Sequence, residues 1–197
     1  MFKMQIYYYR KGIAMNIKEI NKIVMEMANL KGERLRQISR GGAMASLGFG
    51  GISKADVMQK TENGKVELRE SVTSKYAVHI DGFFRITHQG RIVLSKDDMF
   101  RPNSKIQKDD FDEDDFEWDS EGKNKFDEHK NLFVETELLV QDVTINEVGD
   151  LKIVLSNDFY IEVFIDTNED EECWRFFEVG NKEKPHIVVT GCGYQEV

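Results

Sequence analysis

The chain has few of the residues that cross-link or interrupt a fold. Its two cysteines, Cys173 and Cys192, are too few for a disulfide framework in a chain of 197 residues. Its two prolines argue against a long proline-rich linker. We therefore predict a single domain over residues 15–197, preceded by an N-terminal extension at residues 1–14.

Long hydrophobic runs and a basic patch are also missing. No run approaches the ~20 apolar residues that a membrane-spanning helix needs, and the apolar stretch Ile6–Tyr9 is too short for the core of a signal peptide. We therefore expect a cytoplasmic protein that does not associate with membranes. With 36 acidic and 27 basic residues, phosphates would repel the chain, so nucleic acid is not an expected partner.

The motifs of common catalytic and metal sites are absent as well. The only glycine-rich stretch, residues 41–51, lacks the Gly-Lys-Ser/Thr of a phosphate-binding loop. The four histidines form neither His-Glu-x-x-His nor a cluster with cysteines, and no Gly-x-Ser-x-Gly is present. We expect no cofactor and no metal, and the sequence leans away from an enzyme.

A helical pattern starts near residue 15. Asn16 is placed as an N-cap, and Glu19 stands three residues later, in the capping-box position. Gly32 is placed to end the helix. The apolar residues that recur every three or four positions are Ile17, Ile20, Val24, Met27 and Leu30. Residues 1–14 are either an upstream extension or a strand added at a sheet edge.

Further along the chain, a sequence pattern typical of two paired strands occurs twice. The first copy is Phe84-Arg85-Ile86 followed by Ile92–Ser95, and the second is Trp174-Arg175-Phe176 followed by Ile187–Thr190. In each copy an aromatic–Arg–apolar strand precedes a β-branched run that ends in a hydroxyl residue. An apolar-rich stretch precedes each copy, at Tyr76–Asp81 and at Phe159–Asp166.

These patterns predict an α+β fold. Strands do not alternate with helices, so a parallel sheet is not expected. We predict one N-terminal amphipathic helix packed on a mostly antiparallel β assembly that is built from two related meander units. The predicted core consists of Ile20, Val24, Met27, Ile86, Val93, Ile153, Leu155, Ile161, Val163, Trp174, Phe176 and Val188.

The arginines of the repeat suggest one candidate ligand site. Strand alternation places Arg85 and Arg175 on the faces opposite their aromatic neighbours, where carboxylates can pair with them. A ligand site shared by the two units would combine both arginines with His79. The simpler interpretation of His79 is a structural histidine, hydrogen-bonded to Asp81 on the same strand face.

An acidic segment, residues 109–121, is the second candidate site. Nine of its thirteen residues are acidic and none is basic, so its charge of −9 equals the net charge of the whole chain. The remainder has 27 acidic and 27 basic residues and is neutral. Because like charges repel each other, we predict an exposed acidic insert over residues 97–131, with solvated chain continuing from Gly122 to His129.

One interpretation of this segment is a calcium loop. Asp110, Asp112 and Asp114, with Glu121 at the twelfth place, have the required oxygen-ligand spacing. The sixth place needs glycine for a sharp turn but holds Asp115, and no amphipathic helix is apparent on either side. The pattern therefore disfavours a helix–loop–helix calcium site.

The preferred interpretation is a binding surface for a basic protein. Concentrated negative charge accelerates encounter with a basic partner, and aromatic side chains supply buried area. The predicted partner-binding residues are Asp110, Phe111, Asp112, Asp114, Phe116 and Trp118.

Several stretches carry a family resemblance. They are Tyr76–Ile80 with Phe84–Ile86, Gly90–Val93, Glu117–Asp119 with Asn124–Glu128, and Phe159–Phe164 with Trp174–Phe177 and His186–Val189. Together they resemble a family of uncharacterised bacterial proteins from Met15 onward, although Phe84 stands where that family would have tryptophan. The resemblance implies no activity and no functional residue. In style, the acidic, β-rich chain is similar to small immunity proteins of bacterial toxin systems.

Three hypotheses of function follow. The leading one is a non-enzymatic cytosolic binding protein, of inhibitor or immunity type, that presents the acidic insert to a basic protein partner. The alternative is a small-molecule or metal-binding enzyme with its site between the two β repeats. The third is a module for self-association.

Overall fold

The computed structural model describes residues 14–60, 66–106, 112, 114, 116–118, 120 and 122–197. Within them, the α-helices are α1 (Ile17–Met27) and α2 (Lys125–Glu135), and the 3-10 helices are η1 (Ala28–Leu30) and η2 (Lys96–Phe100). The strands are β1 (Leu35–Gly41), β2 (Met44–Lys60), β3 (Val66–Ile80), β4 (Phe83–His88), β5 (Arg91–Ser95), β6 (Val140–Ile145), β7 (Leu151–Leu155), β8 (Phe159–Phe164), β9 (Glu172–Glu178), β10 (Ile187–Thr190) and β11 (Gly193–Glu196). Apart from Ala14, the predicted extension at 1–14 lies outside the described residues.

The strands form two antiparallel sheets that share one hydrophobic core. The six-stranded sheet has the order β1-β2-β3-β9-β10-β11 and the five-stranded sheet the order β5-β4-β8-β7-β6. Val78 and Phe176 of the first sheet and Ile86 and Ile161 of the second belong to this core. The predicted α+β fold with an N-terminal helix is confirmed. Neither described helix is long and apolar enough to cross a membrane.

The strand order reveals an internal duplication. A first unit (residues 17–95) runs α1-β1-β2-β3-β4-β5, and a second unit (residues 125–190) runs α2-β6-β7-β8-β9-β10. In each unit three strands form a meander in one sheet, and the last two form a hairpin in the other sheet. The units interlock because β3 pairs with β9 while β4 pairs with β8. β11 extends the second unit.

Matching hydrogen bonds join the units where β1 and β6 begin. The backbone N–H of Leu35 donates to the carbonyl of Leu138, and that of Val140 donates to the carbonyl of Glu33, both at 2.9 Å. Leu35 and Val140 are the first residues of β1 and β6, and each is followed by a register shift. Equivalent positions thus make equivalent bonds, as two copies related by an approximate twofold axis would.

The pairing of β4 with β8 and of β9 with β3 places the two aromatic–Arg–apolar strands in equivalent positions. Phe84 and Trp174 hold equivalent places on β4 and β9, both fully buried, so Arg85 and Arg175 are equivalent as well. Trp174 also links the two sheets, because its indole N–H donates a hydrogen bond to the carbonyl of Gly149 in the β6–β7 turn at 2.9 Å.

Strand pairing also aligns the second strands of the two copies. Leu94 pairs with Ile86 on β4, and Ile187 pairs with Phe176 on β9. Leu94, rather than Ile92, is therefore the equivalent of Ile187. The two hairpins therefore differ in register, which a comparison of sequence letters does not show.

The start of α1 is as predicted. The Asn16 side-chain oxygen accepts hydrogen bonds from the backbone N–H groups of Lys18 at 3.0 Å and Glu19 at 3.2 Å. The Glu19 carboxylate accepts a hydrogen bond from the Asn16 N–H at 2.8 Å, which completes the capping box. Past η1, Gly32 adopts a φ of +83°, which favours glycine.

The buried face of α1 is rotated relative to the prediction. Ile23, Met27 and Leu30 are fully buried, whereas Ile17 is 68% exposed. Two overlapping rows of apolar residues satisfy helical spacing, and packing selects the row that includes Ile23. Three predicted core residues, Ile20, Val24 and Val93, are only partly buried. The others, Met27, Ile86, Ile153, Leu155, Ile161, Val163, Trp174, Phe176 and Val188, are buried.

The predicted insert at 97–131 contains ordered secondary structure at both ends. η2 occupies its start, and α2 begins at Lys125, so the expectation of solvated chain from Gly122 to His129 is wrong. Phe126 and Phe133 of α2 are fully buried and contact Phe84 and Phe159, respectively, edge to face. These two rings are the aromatic contacts between the largely polar α2 and the core.

Candidate functional site

His79 and Arg175, two of the three predicted ligand residues, are neighbours on the outer face of the six-stranded sheet. His79 on β3 lies directly opposite Arg175 on β9. The His79 ring meets the Phe177 ring edge to face, with centroids 4.9 Å apart, and His186 stacks on the same phenyl ring at 4.3 Å. His79 makes this ring contact and no hydrogen bond to Asp81 within the described residues.

The charges of this cluster are largely compensated. The Arg175 guanidinium donates two hydrogen bonds to the Glu172 carboxylate. Burial, and then the nearby Arg175 charge, lowers the pKa of both His79 and His186. At neutral pH both imidazoles are thus uncharged, which suits a structural role.

Arg85 lies elsewhere. It projects from the outer face of the five-stranded sheet, because its strand neighbours Phe84 and Ile86 fill the core. Its Nε donates to Glu162 at 2.8 Å, and its guanidinium lies 5.1 Å from the centre of the Phe164 ring. The structure therefore does not bring His79, Arg85 and Arg175 together in one site.

The acidic segment is described in part. Asp112, Asp114 and Glu117 are exposed, and the Asp112 carboxylate accepts a hydrogen bond from the Asp114 N–H at 3.1 Å. The Phe116 and Trp118 rings meet edge to face at 4.5 Å, and both residues are half-buried. The other predicted partner-binding residues, Asp110 and Phe111, lie outside the described residues.

The chain enters and leaves the acidic segment through a paired neck, formed by residues 101–106 and 122–125. The backbone N–H of Asn103 donates to the carbonyl of Lys123, and that of Lys125 donates to the carbonyl of Arg101, both at 2.8 Å. The Ser104 N–H and hydroxyl both donate to the Glu128 carboxylate, and these bonds lower the pKa of Glu128. The segment therefore leaves the body from a defined place.

A buried polar network fixes the neck to the six-stranded sheet. Arg40, near the end of β1, donates a hydrogen bond to the carbonyl of Trp118 at 2.6 Å and another to Asp127 at 3.3 Å. The Arg40 and Asp127 side chains are 7% and 4% exposed. Asn124, which is fully buried, donates to the same Trp118 carbonyl at 3.0 Å. The last part of the acidic segment is thus held by Arg40 of β1 and by Asn124, the residue that precedes α2.

Asp127 is the centre of this network. Burial alone would favour its neutral form, but the Gly122 N–H and the Arg40 guanidinium stabilise the carboxylate and hold its pKa below the usual value. The Lys130 ammonium lies 3.3 Å from its other oxygen. Asp127 is therefore a buried anion with several donors, the condition under which a buried charge is tolerated.

Arg40, Asn124 and Asp127 were not predicted from the sequence as functional residues. A signal for two of them was present, because Asn124 and Asp127 have the N-cap spacing of Asn16 and Glu19. The structure confirms this role, since the Asn124 side chain caps α2 by accepting from the Asp127 N–H at 2.9 Å. Arg40 carried no comparable signal, since its contact with Trp118 spans 78 residues.

No group of three or more potential metal-binding His, Cys, Asp or Glu side chains occurs among the residues that the structure describes. A comparison with protein-family models found no match, and comparisons with curated proteins and with solved structures found none either. The anchored acidic segment is therefore the candidate functional site.

Proposed function

We propose that this chain is a non-enzymatic cytosolic binding protein, of inhibitor or immunity type, that presents its acidic segment to a basic protein partner. The observation that carries the proposal is the buried Arg40–Asp127 pair, which fixes the end of the segment to the body. A loop that only connects two elements does not require a buried ion pair.

The charge distribution supports a basic partner. Residues 109–121 carry all of the net charge of −9, while the rest of the chain is neutral. A concentrated anionic surface on a neutral body attracts and orients a cationic protein and is screened by salt. The described acidic residues Asp112, Asp114 and Glu117 are exposed and available for such contacts.

The aromatic residues of the segment supply the apolar part of the surface. Phe116 and Trp118 lie against each other at the anchored end, among the carboxylates. Anchors that are held in place before binding lose little conformational entropy on association. Charge would therefore accelerate encounter, and the aromatic pair would strengthen the bound state.

The enzyme alternative has no specific support. The space between the two units is filled by Phe84, Trp174, Ile86 and Phe176, all of them buried. The residues that would line a shared ligand site, His79 with Arg175 and Arg85, lie on the outer faces of different sheets. The free cysteines, buried Cys173 and exposed Cys192, agree with the proposed reducing compartment.

Capture from a native lysate tests the proposal. The bait is the whole chain, compared with a variant in which the nine acidic residues of 109–121 become the corresponding amides while Phe116, Trp118 and the neck stay intact. We expect a basic protein that co-purifies with the native chain and is lost from the variant. Equal capture of the same partner by both forms would show that the acidic segment is not the binding surface. Circular dichroism checks that the body of the variant is folded.

A further inference from the structure

A cleft of about 80 Å³ opens between α1 and the end of the six-stranded sheet, away from the acidic segment. Its lining includes the apolar residues Phe176, Phe177, Pro185 and Ile187, of which Phe176 and Ile187 are nearly buried, at 3% exposed each. Its rim is polar and carries the carboxylates of Glu26, Glu178 and Glu196. An apolar floor with a few convergent charged groups is the usual form of a small-ligand site.

Two of these three carboxylates already have a cation. Lys184, in the β9–β10 connection, places its ammonium 2.8 Å from Glu26 on α1. Lys22 of α1 places its ammonium 2.8 Å from Glu196 on β11. Glu178 forms no ion pair with any described residue, and it accepts one long hydrogen bond, from the Asn181 side-chain amide at 3.5 Å. Lys75 on β3 adds a positive charge near Glu178 but makes no direct ion pair with it. Among the residues of the rim, Glu178 is thus the carboxylate without an ammonium group in contact.

The duplication provides an internal comparison for this corner. Glu178 on β9 lies opposite Tyr76, and its equivalent in the first unit, His88 on β4, lies opposite Phe159. The His88 ring is stacked flat on Phe159, with centroids 4.1 Å apart and planes 4° from parallel, and Phe133 meets the same ring edge to face. Aromatic rings therefore fill the corner at His88. The equivalent corner at Glu178 is the open cleft.

We propose that this cleft binds a monovalent organic cation, a primary amine or a guanidinium on a short apolar stem. The charged group pairs with Glu178, and the stem lies against Phe176 and Ile187. A hydrogen bond between two charged groups is stronger than a neutral one, so Glu178 favours a cation over a neutral group of the same shape. The same chemistry is offered by a free amine and by a lysine or arginine side chain of another polypeptide.

An NMR titration of the isotope-labelled full chain tests the site. The probes are n-butylammonium and n-butylguanidinium, and n-butanol is the neutral control of similar shape. We expect both cations to shift the backbone amides of Phe177, Glu178 and Ile187, with n-butanol binding about tenfold more weakly, the equivalent of one charge-assisted hydrogen bond. Equal binding of n-butanol, or cation-induced shifts confined to other parts of the chain, would overturn the proposal.

Three variants separate a built site from general attraction to an acidic protein. Glu178→Gln should weaken n-butylammonium binding about fivefold, whereas Lys184→Met should strengthen it by removing the competing ammonium. Glu183→Gln is the matched control, because Glu183 is exposed on the same connection outside the cleft. Equal weakening by Glu178→Gln and Glu183→Gln would contradict the assignment of the site to Glu178.

A second titration identifies the source of the cation. Competition by the tripeptide Ala-Lys-Ala for the n-butylammonium site would show that a lysine side chain of a polypeptide can enter. Binding of n-butylammonium without such competition would assign the cleft to free amines. The change of acidic residues 109–121 to amides should leave both titrations unchanged, so the cleft and the acidic segment are tested independently.

Discussion

The two units begin their helices in the same way but use that start differently. In α1, Asn16 caps the helix, and Asn16 is exposed, so the capping box lies in solvent. In α2, Asn124 and Asp127 have the same spacing, but both are buried, and Asp127 also binds Arg40. The duplicated motif provides a helix start in both places. Burial in the second unit converts it into the anchor of the acidic segment.

Other equivalent positions of the two units also divide into those that are alike and those that differ. The core positions Phe84 and Trp174 both hold large buried aromatic rings, which keeps the two units alike inside. The corners differ, with His88 in the first unit and Glu178 in the second. The acidic segment joins the two units and has no counterpart within either of them. The shared positions build the fold, and the positions that differ are the candidates for function.

The largest effect is expected from truncation of the equivalent core rings. Trp174→Ala should destabilise the fold by about 5 kcal/mol, and Phe84→Ala by about 4 kcal/mol. The tryptophan costs more because its loss also leaves the Gly149 carbonyl without its indole donor. Trp174→Phe, which copies the ring type of the first unit, should cost only about 2 kcal/mol. Urea denaturation measures all three, and a Trp174→Phe variant as unstable as Trp174→Ala would contradict this view of the duplicated core.

The second-largest effect on stability is expected at the N-termini of the two α-helices, where the same kind of substitution should have unequal costs. Asp127→Asn leaves the buried Arg40 without its carboxylate and should cost about 3 kcal/mol. Glu19→Gln at the equivalent place in α1 changes an exposed capping box and should cost less than about 1 kcal/mol. Denaturation of both variants in one buffer provides the comparison. Similar losses for the two would show that the buried network adds nothing beyond helix capping.

Stability should also depend on pH through two histidines on the outer face of the six-stranded sheet. The pKa values of His79 and His186 are lower in the folded chain than in the unfolded chain. The unfolded chain therefore binds more protons as the pH falls below the ordinary histidine pKa of about 6.5, so stability is fully present above that pH and decreases below it.

The double variant His79→Gln/His186→Gln isolates this effect. Thermal unfolding between neutral and mildly acidic pH should show a shallower decrease of the midpoint for the variant than for the native chain. In the second unit, the residue equivalent to His79 is Glu162 on β8, opposite Arg85, so no histidine occupies the matching place. If the unfolding midpoint of the variant decreases with falling pH as steeply as that of the native chain, these two histidines are not the cause of the decrease.

The smallest effects are expected at the repeated arginines. Arg85 and Arg175 are each about one-third exposed, and surface ion pairs are screened by water. Arg85→Met and Arg175→Met should therefore each cost less than about 1 kcal/mol. The same denaturation assay checks them. A loss of several kcal/mol at only one of the two positions would show that the equivalent arginines have different roles.

Local patterns in the sequence predicted much of the scaffold. Strand alternation placed Phe84 and Trp174 inside and the neighbouring arginines outside, because side-chain direction in a strand depends only on adjacent residues. The equivalence of Leu94 and Ile187 was not predicted, since the register of a hairpin depends on hydrogen bonds between its strands. The interlocking of the units is also set by non-local pairing and is invisible in the sequence.

The candidate site was only partly predictable. The acidic composition identified residues 109–121, and Phe116 and Trp118 stood out within them. α2 was not predicted, because only Phe126 and Phe133 mark its buried face. The polar remainder of the helix has the composition of solvated chain. The contact of Arg40 with Trp118 joins parts of the chain that no local pattern relates, so the anchor became visible only in the fold.

The most direct test compares two variants that remove equal charge. Asp112→Asn/Asp114→Asn/Glu117→Gln removes three exposed carboxylates of the acidic segment, and Asp158→Asn/Asp170→Asn/Glu183→Gln removes three exposed carboxylates of the body. Calorimetry measures the affinity of each for the basic partner that the native chain captures. We predict that the segment variant binds about tenfold more weakly, in proportion to about 1.4 kcal/mol of lost electrostatic attraction, and that the body variant binds as the native chain does. Equal losses in the two variants would contradict a binding surface located on the anchored acidic segment.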